Sequence, residues 1–308
     1  MTVPTAGPVF ITGLDHGGKT PLRVVLDRIP TLALLRRAYL WTWFDGRFGP
    51  LAEPANLRRC VAALKAHRAL ASLDLDVGKI SRQFAEGPAS YDHLFMLIGQ
   101  AYAESRGASR WGMQESNLER HAARLLSSDP STRIVHLVRD PRSWYAAVSA
   151  DAARRGGIGV AAAVWGRSSR LALRLAAHHP GRYGLVRYED FAADPAATVE
   201  GVCRFIGEPA EPAVLAAAAG LRLSTSGHEL PARCSVYFET ELADVMTRLG
   251  YHGASELRWR DAARFRLLTR PVARLMATGW SATERWPTAG ELIRGRATAR
   301  KVRLDDAR

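Results

Sequence analysis

The chain has 308 residues and a mass of 33.7 kDa, with 47% hydrophobic and 24% charged residues. This composition is typical of a globular protein with a sizeable core, and it excludes general disorder, collagen and coiled coil. The formal charge is +13, and all but four of the 43 basic residues are arginines. Guanidinium groups bind oxyanions in a bidentate manner, so this excess favours a ligand with phosphate or sulfate groups. Neither zinc-finger spacing nor an RNA-binding aromatic motif is present, so we expect no nucleic-acid partner.

The sequence also carries signals about compartment and metal binding. No apolar run approaches the roughly 18 residues of a membrane-spanning helix, and the first residues lack the pattern of a secretory signal. Cys60, Cys203 and Cys234 lie far apart, without a CxxC pair or a neighbouring histidine cluster. We therefore predict a cytoplasmic protein with no transmembrane segment, no disulfide framework and no metal site.

Short β-branched segments alternate with longer helical patterns along the chain. Residues 9–12, 133–138 and 183–188 are predicted strands, each followed by a predicted helix. The first strand runs directly into a glycine-rich turn, after which a helix is predicted at 21–26. This order predicts an α/β fold, a central parallel β-sheet flanked by helices in a helix-rich three-layer sandwich like that of the P-loop nucleoside triphosphatases.

The remaining segments are predicted to be mostly helical. Pro54 and Ser90 are candidate helix starts between the first two predicted strands, and residues 160–177 form an alanine-rich helical pattern. Asp194 is a candidate N-cap for a further helix that ends at Gly207.

The chain changes in character near its end, where arginines become frequent and acidic residues few. We predict a main α/β domain over residues 1–251. Residues 252–308 are predicted to form a basic helical C-terminal extension docked on that domain.

The glycine-rich turn at residues 13–20 fits the pattern G-x-x-x-x-G-K-[ST] at every fixed position. Gly17 and Gly18 would let the backbone wrap a phosphate, and the following helix N-terminus adds positive potential. Lys19 would add a mobile charge, and Thr20 a hydroxyl donor or a magnesium ligand. The turn therefore predicts phosphate binding but leaves the identity of the phosphate compound open.

Arg139 follows the predicted strand at 133–138 and precedes a new helix, a suitable place for binding a second oxyanion. Asp140 comes next, and a kinase or nucleoside triphosphatase could use it as a second carboxylate beside a magnesium ion held by Thr20. A P-loop kinase or nucleoside triphosphatase is thus an open alternative at this point.

Two segments carry a resemblance to a known family. LVRDPR, at residues 137–142, and VRYEDF, at residues 186–191, resemble the sulfotransferases that use 3′-phosphoadenosine-5′-phosphosulfate (PAPS), in particular bacterial members of actinobacterial type. Supporting stretches are Trp111-Gly112 and Leu118-Glu119. The resemblance covers roughly residues 9–207.

The resemblance implies a donor site. Residues 17–20 would hold the 5′-phosphosulfate, and Arg139 would pair with the 3′-phosphate. Tyr188 would lie near the adenine, and Arg233, in the sequence Pro-Ala-Arg, would add a second contact to the 3′-phosphate.

The chain departs from the usual family pattern in three places. His16 stands where the family usually has a basic residue in the turn, and Lys19 replaces the first of two threonines. The serine common in the following helix is Ala147 here, so Ser149, the nearest hydroxyl, is the candidate contact to the donor in its place. Many bacterial relatives have a glutamate soon after the first helix, which acts as the base for the acceptor hydroxyl. Residues 34–39, the corresponding region here, contain no glutamate. These differences motivate the alternative of a nucleotide-binding homologue without turnover.

Sulfuryl transfer needs in-line geometry, neutralised oxygens and a base for the acceptor hydroxyl. We predict that Lys19 neutralises the leaving phosphate and that His16 acts as the base or as a donor to the phosphate, a structural role of His16 remaining open. Asp45 and Glu115 are further candidate carboxylates. The predicted function is transfer from PAPS, with the bisphosphate PAP as product, to a hydroxyl of a small molecule, carbohydrate or secondary metabolite.

Overall fold

The computed structural model describes residues 7–67, 69–71, 76–153, 157–224, 230–253 and 259–283. The strands are β1 (Val9–Thr12), β2 (Leu32–Arg36), β3 (Arg110–Gln114), β4 (Arg133–Val138) and β5 (Tyr183–Arg187). They form one parallel sheet in the order β2-β3-β1-β4-β5, with β1 in the centre. Parallel strands need long crossover connections, and helices supply them here.

The helices lie along the chain between and after the strands. They are α1 (Lys19–Leu26), α2 (Pro54–Ala66), α3 (Val77–Ala85), α4 (Tyr91–Ser105), α5 (Ala122–Ser128), α6 (Pro141–Ala153), α7 (Gly157–His178), α8 (Tyr188–Ala193), α9 (Pro195–Ile206), α10 (Pro212–Ala219), α11 (Ala232–Glu241), α12 (Ala243–Arg248), α13 (Trp259–Arg264) and α14 (Arg270–Thr283).

The sheet is buried on both faces, as its apolar strands require. Val9 and Ile11 point to the face covered by α1, α9 and α10. Phe10, between them, points to the opposite face, which is covered by α2, α4 and α5. The predicted α/β fold, a central parallel sheet between layers of helices, is confirmed.

Local capping explains where several helices begin and end. The Ser90 hydroxyl accepts a hydrogen bond from the His93 N–H at 3.1 Å, and the Asp194 carboxylate accepts one from the Ala197 N–H at 2.9 Å. Gly207 ends α9 at a φ of 77°, a conformation that glycine adopts without steric cost. The helix boundaries predicted from these residues are therefore correct.

The prediction of a mostly helical connection between the first two predicted strands is incomplete. It contains α2, α4 and α5, but also β2 and β3. Their sequences, LALLR and RWGMQ, contain no β-branched residue, so propensity gives only a weak strand signal there. They become strands because β3 pairs with β1 and β2 pairs with β3.

The C-terminal helix α14 packs against α7. A Cβ added at Gly159 of α7 would lie 1.9 Å from the carbonyl oxygen of Ala273, so the two backbones meet where only glycine fits. Phe265 and Ala273 are buried in the same cluster as Trp165. The domain boundary at residue 251 stays a prediction, and residues 284–308 lie outside the described residues. Within the described part of the chain, no helix is both long and apolar enough to span a membrane.

Candidate active site

The glycine-rich turn joins β1 to α1 at the carboxyl edge of the sheet. Gly13 has a φ of 119°, and a Cβ there would lie 2.2 Å from the Leu137 carbonyl oxygen of β4. Gly18, at the N-terminus of α1, has a φ of 91°, and a Cβ there would lie 2.4 Å from Cδ2 of Tyr188. Both positions need glycine because the left-handed conformation and the packing each exclude a side chain.

Lys19 is buried, and its ammonium group lies inside the turn. The Nζ donates a hydrogen bond to the Gly13 carbonyl at 2.8 Å and another to the Leu14 carbonyl. Burial alone would raise the pKa of the neighbouring Asp15. Attraction to Lys19 and a hydrogen bond from Ser116 outweigh that effect and hold the pKa of Asp15 below its ordinary value.

Side chains from distant parts of the chain hold the turn from outside. The Trp144 indole N–H donates to the Asp15 carbonyl at 2.8 Å, and the Ser116 hydroxyl donates to the Asp15 carboxylate at 2.5 Å. The Arg139 guanidinium donates to the His16 carbonyl at 3.1 Å, across 123 residues of sequence. These contacts fix the backbone of the turn before any ligand arrives.

Arg139 lies directly after β4 and reaches across to the turn. Its backbone carbonyl accepts a hydrogen bond from the Trp165 indole N–H at 2.8 Å, which fixes the backbone from which the Arg139 side chain extends. Its guanidinium carbon lies 4.3 Å from the centroid of the Tyr188 ring. Its Nε is buried and has no hydrogen-bond partner among the described residues. A buried donor of this kind is costly unless a ligand completes it.

Tyr188, the first residue of α8, forms the third part of the site. Its ring covers Gly18 on one side and contacts the Arg139 guanidinium. Its hydroxyl donates to the Ser224 carbonyl at 2.9 Å and so holds the ring in place. The turn and Arg139 therefore line one narrow cleft, and the Tyr188 ring packs beside it against both Gly18 and the Arg139 guanidinium.

The carboxylate of Asp140 points away from this cleft. It accepts hydrogen bonds from Arg142, the shortest at 2.5 Å, and Arg142 also donates to Glu239 at 2.7 Å. The hydrogen bond to Asp140 raises the pKa of Arg142 above its ordinary value. Thr20 instead accepts a hydrogen bond from Gln114 at 3.2 Å. Within the described residues, no group of histidine, cysteine, aspartate or glutamate side chains could hold a metal ion.

A larger cavity of about 310 Å³ lies beside the turn. Its polar lining includes Glu119, whose carboxylate accepts hydrogen bonds from the hydroxyls of Thr12 at 2.9 Å and Ser168 at 2.5 Å. Three arginines, one from the segment after β3 and two from α7, also line it. The complete set of lining residues is Leu14, Asn117, Glu119, Arg120, Val164, Arg167, Ser168, Leu171 and Arg174.

Comparison with known proteins identifies the family. The model of the sulfotransferase family matches residues 8–212, which span the whole sheet and the cleft. The chain is a member of the sulfotransferase family. The resemblance predicted from the LVRDPR and VRYEDF segments is thereby confirmed.

Among solved structures, this sulfotransferase is similar to other sulfotransferases at low sequence identity. Sulfotransferase STF9 from Mycobacterium avium is 13% identical with a TM-score of 0.51, over 82% of this chain and 79% of that one. A sulfotransferase domain of the curacin biosynthetic pathway is 18% identical (TM-score 0.48; 80% and 99% covered). A sulfotransferase from Alicyclobacillus acidocaldarius is 17% identical (TM-score 0.45; 80% and 97% covered). No curated protein sequence matches the chain.

The structure brings together most of the residues predicted for the donor site of this sulfotransferase. Residues 17–20, Arg139 and Tyr188 lie next to one another at the carboxyl edge of the sheet, and the side chain of His16 is exposed in the same turn. Arg233 is exposed in the first turn of α11, within electrostatic range of Tyr145. Ser149 lies in α6, but its side chain lies outside the described part of the structure. Their roles as ligand contacts stay predictions.

Sequence reasoning did not find the cavity beside the turn. From the sequence, Glu119 was noted only as part of the family resemblance. No functional role was predicted for Arg120, Arg167 or Arg174. The spacing of Arg167 and Arg174 is a usable signal, since seven residues place both on the same side of a helix. The two other carboxylate candidates do not line this cavity and have partners of their own: Asp45 pairs with Arg124 at 3.0 Å, and Glu115 accepts a hydrogen bond from the Thr42 hydroxyl.

Proposed function

We propose that the protein transfers a sulfuryl group from PAPS to a hydroxyl group of a small molecule, carbohydrate or secondary metabolite. The observation that carries the proposal is the position of the Arg139 guanidinium, which donates to the His16 carbonyl at the edge of the phosphate-binding turn and lies against the Tyr188 ring. The 3′-phosphate of PAPS would accept a hydrogen bond from the Arg139 guanidinium, whereas ATP carries no 3′-phosphate. Family membership supports the same reading.

The residues of the cleft fit such a donor. The backbone N–H groups at the start of α1 supply positive potential for a 5′-phosphate, and Lys19 adds a full charge inside the turn. The Tyr188 ring offers an aromatic surface beside Arg139. When bound, PAPS supplies an activated sulfuryl group with a phosphate as leaving group.

Lys19 is our candidate for neutralising the bridging oxygen, which gains negative charge as its bond to sulfur breaks. Its buried position means that this charge acts with little screening by water. The bridging oxygen leaves with the electron pair of the broken bond, while the acceptor oxygen forms the new bond to sulfur and gives up its proton.

Two residues are candidates for taking the acceptor proton. His16 is exposed at the turn, whereas Glu119 is buried in the wall of the adjoining cavity. Comparing the transfer rates of His16→Ala and Glu119→Gln separates them, because only loss of the base should remove transfer while PAP binding is retained.

The ionic contacts of Asp140 argue against a kinase or nucleoside triphosphatase. That chemistry would need a carboxylate beside Thr20 for magnesium, and Asp140 is held by Arg142 instead. We also propose a cytoplasmic location, since Cys60, Cys203 and Cys234 are all free thiols.

A thermal-shift comparison of PAP with ATP and magnesium tests the proposal. A ligand at 100 times its Kd adds about 2.7 kcal/mol to the stability of the native state, which corresponds to a rise in Tm of about 5 °C or more. We expect that rise with PAP. A larger rise with ATP and magnesium would refute the sulfotransferase assignment of the donor.

A further inference from the structure

The cavity beside the turn is strongly cationic. Arg120, Arg167 and Arg174 contribute three guanidinium groups to its lining, and all three side chains are exposed. Glu119 is the one carboxylate in the described lining, and it already accepts hydrogen bonds from two hydroxyls. The described lining therefore carries an excess of positive charge, which suits an anionic ligand.

The arginines come from two elements that contact each other, since Ser168 of α7 donates a hydrogen bond to Glu119 of the segment after β3. Arg120 belongs to the short helical turn Leu118–Arg120 that follows β3, and Arg167 and Arg174 belong to α7. Seven residues of α-helix span about 10 Å, so Arg167 and Arg174 lie on the same side of α7, about 10 Å apart along the helix axis. Leu14, Val164 and Leu171 supply apolar surface between the charged groups.

The cavity adjoins the proposed donor site. Leu14 belongs to the phosphate-binding turn, and both Leu14 and Ser168 also line a narrow cleft that extends to Gly17 and Arg139. A molecule in the cavity would thus lie next to the turn that is proposed to hold the sulfuryl group. Sulfuryl transfer requires such contact between acceptor and donor.

We propose that this cavity is the acceptor site and that the acceptor carries an anionic group in addition to the hydroxyl that is sulfated. The anionic group is a carboxylate, phosphate or sulfate, which the guanidinium groups of Arg120, Arg167 and Arg174 bind. The volume of about 310 Å³ suits a small molecule or one end of a larger one. This inference rests on the proposed function, because it names the substrate class of the same site.

Binding to the protein saturated with PAP tests the inference, since PAP occupies the donor site. The probes are pairs that differ in charge: glucuronate with glucuronamide, 4-hydroxyphenylacetate with its amide, glucose 6-phosphate with glucose, and glucose 6-sulfate with glucose. Ligand-observed NMR measures each affinity. We expect at least one anionic member to bind at least about tenfold more tightly than its neutral partner, which equals about 1.4 kcal/mol. The pair that responds identifies the anion.

The variant Arg167→Ala/Arg174→Ala should remove this preference. Arg170→Ala is the matched control, because Arg170 lies on the same helix and pairs with Asp244 at 3.1 Å instead of lining the cavity. We expect the control to keep the preference. Arg167→Lys/Arg174→Lys, which keeps the charge, should retain part of it.

Three results would overturn the inference. They are equal binding of neutral and anionic members in every pair, an anion preference that survives undiminished in the double alanine variant, and a loss of preference in Arg170→Ala that equals the loss in the double variant. PAP binding is measured first for every variant. Failure of wild-type protein to bind PAP would count against the proposed function itself, whereas PAP binding without an anion preference would refute only the inference about the acceptor.

Discussion

Replacing Arg139 with alanine tests the donor site most directly. Hydrogen bonds to charged groups contribute about 1.5–3 kcal/mol each, and the half-buried guanidinium of Arg139 is proposed to make such a bond to a 3′-phosphate. The variant also loses the contact with Tyr188 and the hydrogen bond to the His16 carbonyl. Those losses affect every nucleotide equally. The 3′-phosphate contact should therefore add a selective loss of about 10- to 150-fold.

Isothermal titration calorimetry with PAP and with 5′-AMP measures this selective loss. We expect Arg139→Ala to weaken PAP about 10- to 150-fold more than it weakens 5′-AMP. Arg133→Ala is the matched control, because Arg133 lies at the opposite end of β4 and donates to the carbonyls of Ser131 and Thr132. Equal losses for the two nucleotides in Arg139→Ala would refute the 3′-phosphate contact, and so would the same selectivity change in Arg133→Ala.

Three further predictions concern the turn and the core. Lys19→Ala should lower the transfer rate by about 100-fold or more while circular dichroism shows a retained fold, and a near-normal rate would remove Lys19 from the mechanism. Gly18→Ala should lower the unfolding free energy in urea by about 1–3 kcal/mol, since its Cβ meets Tyr188; Gly46→Ala, at a φ of 68° with open space around it, is the control and should cost less. Burial lowers the pKa of His136 in the folded protein. As the pH drops below about 6.5, this histidine is therefore protonated in the unfolded chain before it is protonated in the folded protein, and the free energy of unfolding falls. His136→Gln should reduce that slope between pH 5 and 6.5, and an unchanged slope would contradict the assignment.

The fold was predictable where local sequence and tertiary structure agree. Residues 9–12 and 133–138 are apolar and β-branched, and Asp194 and Gly207 carry clear capping signals, so these elements follow from the chain itself. β2 and β3 were not predicted, because their residues have weak strand propensity and become strands through pairing with neighbours far along the chain.

The residues of the proposed donor site were predictable one by one, but their contacts were not. The glycines, Lys19 and Thr20 lie within one short turn, so their proximity is a property of the sequence. The orientation of the Lys19 ammonium towards the Gly13 and Leu14 carbonyls is not, since it depends on the backbone path of the folded turn.

The sequence by itself determined that this protein has a glycine-rich turn between a buried strand and a helix, because strand propensity, glycine freedom and helix capping act over a few neighbouring residues. Only the tertiary structure decided that Arg139 would reach that turn, because the parallel pairing of β1 with β4 brings together residues 123 positions apart. The same is true of the arginine-lined cavity, whose cations come from α7 and from the turn after β3. Their charges converge only when the helix packs over the carboxyl edge of the sheet, and no local pattern in the chain encodes that packing.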